Sequence, residues 1–138
     1  MARVDNQRLV YEGVSLNIAV VNGCATYVDL DEPKVLAEGG ETLEIWHADC
    51  EDGAEYTLTA YEGDATLAGA DLSMDGPACF LATKRAPVDS VGLHAGSSYC
   101  VDAGESPVPD GRHRISRLDV SATDTVGVSI VVTTWDVA

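Results

Sequence analysis

Apolar and polar residues alternate along much of the chain with a period of two, which is the period of a half-buried β-strand. In the first clear case Leu16, Ile18 and Val20 share one face, while Ser15 and Asn17 lie on the other. The same alternation recurs in segments 24–30, 42–48, 55–61, 112–122 and 125–135. We therefore predict a protein built from short antiparallel strands.

Turn-forming residues separate these segments. The dipeptide Asn22-Gly23 follows the first alternating segment directly. Asn-Gly is the strongest short signal for a β-hairpin, because both residues tolerate the positive φ that a tight turn needs. We therefore expect segments 15–21 and 24–30 to pair as a hairpin.

The end of the chain predicts a second hairpin, formed by segments 112–122 and 125–135. On the last strand Val128, Ile130 and Val132 alternate on one face. This pattern places the three side chains in the core.

Two cysteines each lie in a short apolar run, 79–83 and 99–101, and we interpret both runs as strands that a bridge pins together. Segment 88–96 is predicted to be an extended loop, and no segment shows a helical period. Seven to nine short strands favour an all-β fold, an antiparallel β-sandwich that is Ig-like or related. A closed barrel is the runner-up.

The first eight residues are polar and have little to bury. We predict a flexible N-terminal arm over residues 1–8 and a single β-sandwich domain over 9–138. The arm residues expected to contact a partner are Arg3, Val4, Asp5, Asn6, Gln7 and Arg8. A frayed arm without a partner is the alternative.

The charge balance narrows the class of partner. The chain has 138 residues, with 8 Lys and Arg against 23 Asp and Glu, and a formal net charge of -15. Such a charge repels nucleic acid and anionic membranes, and it favours another secreted or surface protein with a basic surface. Solubility alone is the competing explanation. No apolar run approaches the length of a membrane span.

The four cysteines are Cys24, Cys50, Cys79 and Cys100, and no Cys-x-x-Cys pair occurs among them. Their wide spacing in a small β-rich chain predicts two disulfides. Pairing of neighbours along the chain gives Cys24–Cys50 and Cys79–Cys100, which is one of three connectivities. Disulfides imply an oxidising compartment, so we expect a secreted, extracellular protein whose native signal peptide has been removed.

Several short motifs follow one another between residues 79 and 136. They are Cys79-Phe80-Leu81-Ala82-Thr83-Lys84, Val91-Gly92-Leu93, Gly96-Ser97, Tyr99-Cys100-Val101, Gly111-Arg112 and Val131-Val132-Thr133-Thr134-Trp135-Asp136. In this pattern the chain resembles a small all-β domain of secreted and surface-attached actinobacterial proteins. It is also similar to the extracellular C-terminal domain of some membrane-anchored Ser/Thr kinases. The resemblance implies a disulfide and no catalytic set. Stand-alone proteins of this size resemble small secreted adaptors, including those of antibacterial toxin particles.

Candidate catalytic chemistry is sparse. Ser97 and Ser98 lie near His94, but no Gly-x-Ser-x-Gly elbow is present. His47 and Cys50 form a single His-x-x-Cys pair, which is a weak metal signal. Two acidic turns offer oxygen ligands to calcium, Asp29, Asp31 and Glu32 in one and Asp49, Glu51 and Asp52 in the other. Solvated turn residues are the simpler explanation, and we expect neither a metal nor a cofactor.

The hypothesis that these patterns favour is a secreted, non-enzymatic protein-binding module, an adaptor or accessory subunit of an extracellular assembly. A carbohydrate- or cell-wall-binding module is the alternative, with Trp46 and Trp135 as candidate aromatic contacts. Isolated tryptophans in strands are more often packing residues. A hydrolase is the third hypothesis.

Overall fold

Strands dominate the computed structural model, which describes residues 7–19, 25–29, 34–36, 43–47, 56–60, 66–88, 90–105, 111–123 and 127–138. These residues contain ten strands and one helix. In chain order they are β1 (Gln7–Ala19), β2 (Ala25–Asp29), β3 (Lys34–Leu36), β4 (Leu43–His47), β5 (Tyr56–Ala60), β6 (Thr66–Ala70), α1 (Gly76–Arg85), β7 (Ser90–Leu93), β8 (Ser98–Glu105), β9 (His113–Thr123) and β10 (Gly127–Val137).

The strands form two five-stranded sheets in which all neighbours are antiparallel. The first sheet has the order β1-β10-β9-β8-β6, and the second has the order β3-β2-β4-β5-β7. β10 lies between β1 and β9, and the β9–β10 pair is the predicted closing hairpin. This prediction is confirmed.

One face of the first sheet covers the main hydrophobic core. Val128, Ile130 and Val132 of β10 are buried there, as predicted. Leu58 of β5 and Leu93 of β7, from the second sheet, belong to the same buried cluster. The described parts of the two sheets therefore share a core.

The opposite face of the first sheet covers a second buried cluster. Its members are Ala68, Cys79, Cys100, Ile115, Trp135 and Val137, and Met74 and Phe80 pack against them. Helix α1 lies over this face and contacts β6, β8, β9 and β10. The first sheet is therefore buried on both faces, which explains why nearly every residue of β10 is inaccessible.

Helix α1 begins at a well-formed cap. The carboxylate of Asp75 accepts the N–H of Ala78 at 3.0 Å, and Pro77 lies in the first turn, where its missing N–H is not needed. Lys84 and Arg85 occupy the last turn, where positive charge complements the helix dipole.

The prediction of a strand at 79–83 is wrong, because these residues lie inside α1. A five-residue apolar run cannot distinguish a strand from a buried helix. The decisive signal was local: Asp75-Gly76-Pro77 is a helix start, although it also suits a turn. The bridge between Cys79 and Cys100 is nevertheless present, and it joins α1 to β8 with a Cα–Cα distance of 5.2 Å. Cys24 and Cys50 lie outside the described residues.

The hairpin predicted at Asn22-Gly23 is also wrong, since β1 and β2 belong to different sheets. Strand β1 pairs instead with β10, where Leu16 lies opposite Ile130 and Ile18 opposite Val128. Asn-Gly permits a tight turn but does not select the partner. The partner is selected by these buried cross-strand pairs.

Other element boundaries also differ from those predicted from the sequence. The segment predicted as a loop at 88–96 contains β7, which pairs with β5, and only Val91 and Leu93 alternate there. The ten described strands exceed the expected seven to nine. Strand β1 begins at Gln7, so Gln7 and Arg8 belong to the domain and not to the predicted arm. The rest of that arm lies outside the described residues.

No helix in the described part of the chain is long and apolar enough to span a membrane.

Truncation of Ile130 tests the main core. Ile130 is 1% exposed, so Ile130→Ala should lower the free energy of unfolding by about 2–5 kcal/mol in urea denaturation. Leu72→Ala is the matched control, because Leu72 is 68% exposed and should change stability by less than about 0.5 kcal/mol. Similar losses for both variants would contradict the described core.

Candidate functional site

Strand β1 carries two register shifts near its start. Leu9 lies opposite Trp135, Tyr11 lies opposite Thr134, and Val14 lies opposite Val132, so one residue is inserted at each step. A β-bulge reverses the alternation of side chains beyond it. Leu9 and Glu12 are three positions apart, so in a regular strand their side chains would lie on opposite faces. The first bulge brings both side chains to the face that carries α1. Tyr11 and Val14 pack against the main core on the other face.

Gly13 fixes the second shift. Its φ is +65°, a conformation that L-residues rarely adopt, and its N–H donates to the Thr133 hydroxyl at 3.2 Å. A glycine inside an otherwise regular strand is typical of a bulge. The direction of the Glu12 side chain therefore depends on Gly13, the residue that follows it.

A groove of about 380 Å³ lies where these side chains meet β10. It is lined by Gln7, Leu9, Glu12, Thr133 and Trp135. Trp135 is only 8% exposed and Thr133 only 5%, whereas Leu9 is 51% exposed. The groove thus has a buried floor from β10 and an accessible wall from β1. Its volume lies within the range of roughly 300–1,000 Å³ typical of ligand pockets.

The first residue of α1 packs tightly at one end of this groove. The Gly76 N–H donates to the side-chain oxygen of Gln7 at 3.2 Å. A Cβ on Gly76 would lie 2.9 Å from Trp135 Cβ and Cγ and 2.9 Å from Val137 Cγ2. Only glycine allows the helix to approach Trp135 this closely, so the position of α1 and the shape of the groove are linked.

Arg117 holds the segment that leads into α1. Its Nη1 donates to the carbonyl oxygens of Leu72 and Met74, at 2.9 and 2.8 Å. Asp119 keeps the guanidinium in place through Nε at 3.0 Å, and Ser98 donates to the same carboxylate. Together with the Cys79–Cys100 bridge, these hydrogen bonds hold both α1 and the segment that leads into it.

A buried ionic cluster holds the start of β1 on the other face of the sheet. Asp136 is 1% exposed and accepts from Arg8 at 2.7 Å and from Arg114 at 2.9 and 3.2 Å. Removing one partner of such a buried set leaves an uncompensated charge, which is strongly destabilising. Arg8, predicted to contact a partner, is thus committed to Asp136, while Gln7 lines the groove.

A second cleft, of about 520 Å³, lies at the opposite edge of the first sheet. Its lining is Gly69, Ala70, Asp71, Leu72, Gly96, Ser97, Ser98 and Tyr99. Two of its polar side chains, those of Asp71 and Ser98, are already engaged. Ser73 donates its hydroxyl and its N–H to the carboxylate of Asp71, and these bonds lower the pKa of that carboxyl. The Ser98 hydroxyl is bound to Asp119.

The histidines do not form a catalytic set within the described residues. His113 Nδ1 lies 3.0 Å from an oxygen of Asp102, and its ring packs against Phe80 with the centroids 4.9 Å apart. No hydroxyl or thiol among the described residues bonds to this imidazole. The His94 ring lies over Gly92 and bonds to neither Ser97 nor Ser98.

The remaining candidate residues fall as follows. Asp29 ends β2, Trp46 and His47 lie in β4, and the other members of the two acidic turns are outside the described residues. The described part of the chain contains no group of three or more His, Cys, Asp or Glu residues that could hold a metal ion. Sequence reasoning missed Glu12 and Thr133, although Gly13 inside a strand was a usable signal for the bulge.

Comparison with known proteins finds no matching family model, no matching curated protein and no matching solved structure. The groove beside β1 is the candidate functional site. It combines a buried aromatic floor, an exposed aliphatic wall and a carboxylate, and it lies at the edge of a sheet.

Substitution at Gly76 tests the contact between α1 and Trp135. Gly76→Ala should lower the free energy of unfolding by about 1–3 kcal/mol, the usual cost of overpacking, although alanine is the better helix former. The control is Gly69→Ala, because a Cβ there meets nothing within 4 Å. Urea denaturation measures both. An unchanged Gly76→Ala variant would show that α1 does not pack against Trp135 as described.

Proposed function

We propose that this protein is a secreted, non-enzymatic module that binds a partner protein along strand β1. In this role it serves as an adaptor or accessory subunit of an extracellular assembly. The observation that carries the proposal is the exposure of two consecutive apolar residues on an edge strand. Leu9 is 51% exposed and lines the groove, and Val10, the next residue of β1, is 37% exposed.

The edge position supports docking of an extended segment. Within the described strands β1 has one hydrogen-bonded neighbour, β10, and it is the first strand in the order of its sheet. An edge strand presents unpaired N–H and C=O groups, which an extended segment can pair with while pockets select its side chains. The groove is such a pocket.

The two cores support a finer version of the fold. Leu58 and Leu93 join the cluster of the first sheet, which favours a β-sandwich with α1 packed on its outer face. On this interpretation the domain begins at Gln7 and continues to the C-terminus. We retain Cys24–Cys50 as the second bridge of the proposal.

A secreted location is supported by the bridge between Cys79 and Cys100, both of which are fully buried. Structural disulfides persist in oxidising compartments and are rare in the cytosol. This also agrees with the resemblance to secreted actinobacterial domains and to adaptors of toxin particles, which stays part of the proposal. A carbohydrate site would need an exposed aromatic surface, whereas Trp135 is 8% exposed.

The test uses the native partner, co-purified with the tagged full-length protein from its source and then produced separately. Leu9→Ser and Val10→Ser should each weaken its binding about tenfold by calorimetry. Loss of a buried aliphatic contact of about 1.4 kcal/mol corresponds to that factor.

Leu72→Ser is the control for this experiment, because Leu72 is more exposed than Leu9 and lies in the cleft at the opposite edge of the sheet. It should leave the affinity unchanged. Equal weakening by all three variants, or none by the two β1 variants, would place the interface elsewhere.

A further inference from the structure

The groove beside β1 contains a carboxylate that the domain itself does not use. Glu12 lines the groove and is exposed, and it forms no ion pair or hydrogen bond with any part of the chain that the structure describes. By contrast, Asp136, Asp119 and Asp102 are all engaged by basic side chains. The free charge of Glu12 lies beside apolar surface, not in a salt-bridge network.

We infer that the groove binds a lysine or arginine side chain from the partner segment that docks along β1. This inference rests on the proposed function, and it names the chemistry of the partner. The aliphatic stem of the basic residue lies between Leu9 and Trp135, and its charged head reaches Glu12. Lysine and arginine bury their stems on apolar surface while the charged head stays in a polar environment.

The polar groups of the groove suit the backbone of such a segment. The Gln7 oxygen is occupied by the Gly76 N–H, which leaves the Gln7 amide group as a donor. Thr133 accepts from Gly13, so its own hydroxyl proton is also a donor. Carbonyl oxygens of an extended segment are the acceptors that these two groups match.

The charge distribution favours this occupant over an acidic one. The chain carries a net charge of -15, and Arg8 is bound to Asp136 on the other face. Lys84 and Arg85 occupy the last turn of α1, whereas the groove meets its first residue. The Lys84 ammonium lies 4.2 Å from the centroid of the Phe80 ring, so this cation already contacts an aromatic side chain of its own helix.

The experiment uses three synthetic peptides with the full-length protein. The lysine probe is acetyl-Thr-Val-Lys-Val-Thr-amide, and in the matched probes norleucine or glutamate replaces the lysine. Chemical shifts of the Trp135 indole N–H and of the Gly13 amide report binding at the groove. We expect the lysine probe to bind most tightly and the glutamate probe least.

Glu12→Gln should weaken the lysine probe about threefold to fivefold, the range of a partly exposed ion pair, and leave the norleucine probe unchanged. Asp71→Asn is the matched control, because it removes one charge at the opposite edge of the sheet and should leave both affinities unchanged. High salt should reduce the difference between the lysine and norleucine probes.

Any of the following results would overturn the inference. The first is equal binding of the lysine and norleucine probes, or a Glu12→Gln variant with unchanged affinity for lysine; in either case docking on β1 itself would stand. The second is a Trp135 signal that shifts with protein concentration alone, which would assign the groove to a second copy. The third is tighter lysine binding by Arg3→Ala, which would assign it to the chain's own residues 1–6. Failure of the proposed function would appear separately, as native-partner binding that ignores Leu9→Ser and Val10→Ser.

Discussion

The docking of α1 on the outer face of the first sheet is the interaction on which the rest of the structure depends. It buries Cys79 and Cys100 completely and covers Trp135 and Ile115. Without it that face would expose a large apolar surface, which monomeric soluble proteins rarely do. The close approach of Gly76, the bridge to β8 and the bonds from Arg117 all hold the same helix. The first sheet is therefore covered on both faces in the described part of the chain, and β10 has no exposed face.

The candidate site is a consequence of this arrangement. One side of the groove is built from β1, whose bulges bring Leu9 and Glu12 to the helix-bearing face. The floor is Trp135, which is held by Gly76 from the helix side. The proposed docking at this edge would need little reorganisation, because Gly76 and the Cys79–Cys100 bridge already hold Trp135 and α1 together.

The parts of the fold that the sequence predicts are those with local or strictly periodic causes. The alternation of Val128, Ile130 and Val132 identifies the core face correctly, and the final hairpin follows from it. The helix was missed because the run from Cys79 to Thr83 has no readable period. The partner of β1 was missed because pairing is decided by contacts distant in sequence. Among the groove residues the sequence singles out Gln7 as a partner contact and Trp135 only as a candidate carbohydrate contact. It does not bring them together with Glu12, because the bulge and the helix that do so are not revealed by the alternation.

Amide hydrogen exchange on the Cys79→Ala/Cys100→Ala double variant tests the role of α1 most directly. If the Cys79–Cys100 bridge holds α1 against the first sheet, the α1 amides should show the largest rise in exchange rate relative to the unmodified protein. The start of β1, which contacts Gly76 through Gln7, should come next, and the centre of the β9–β10 hairpin should change least. An even rise across α1, β9 and β10, or an unchanged helix, would contradict this account.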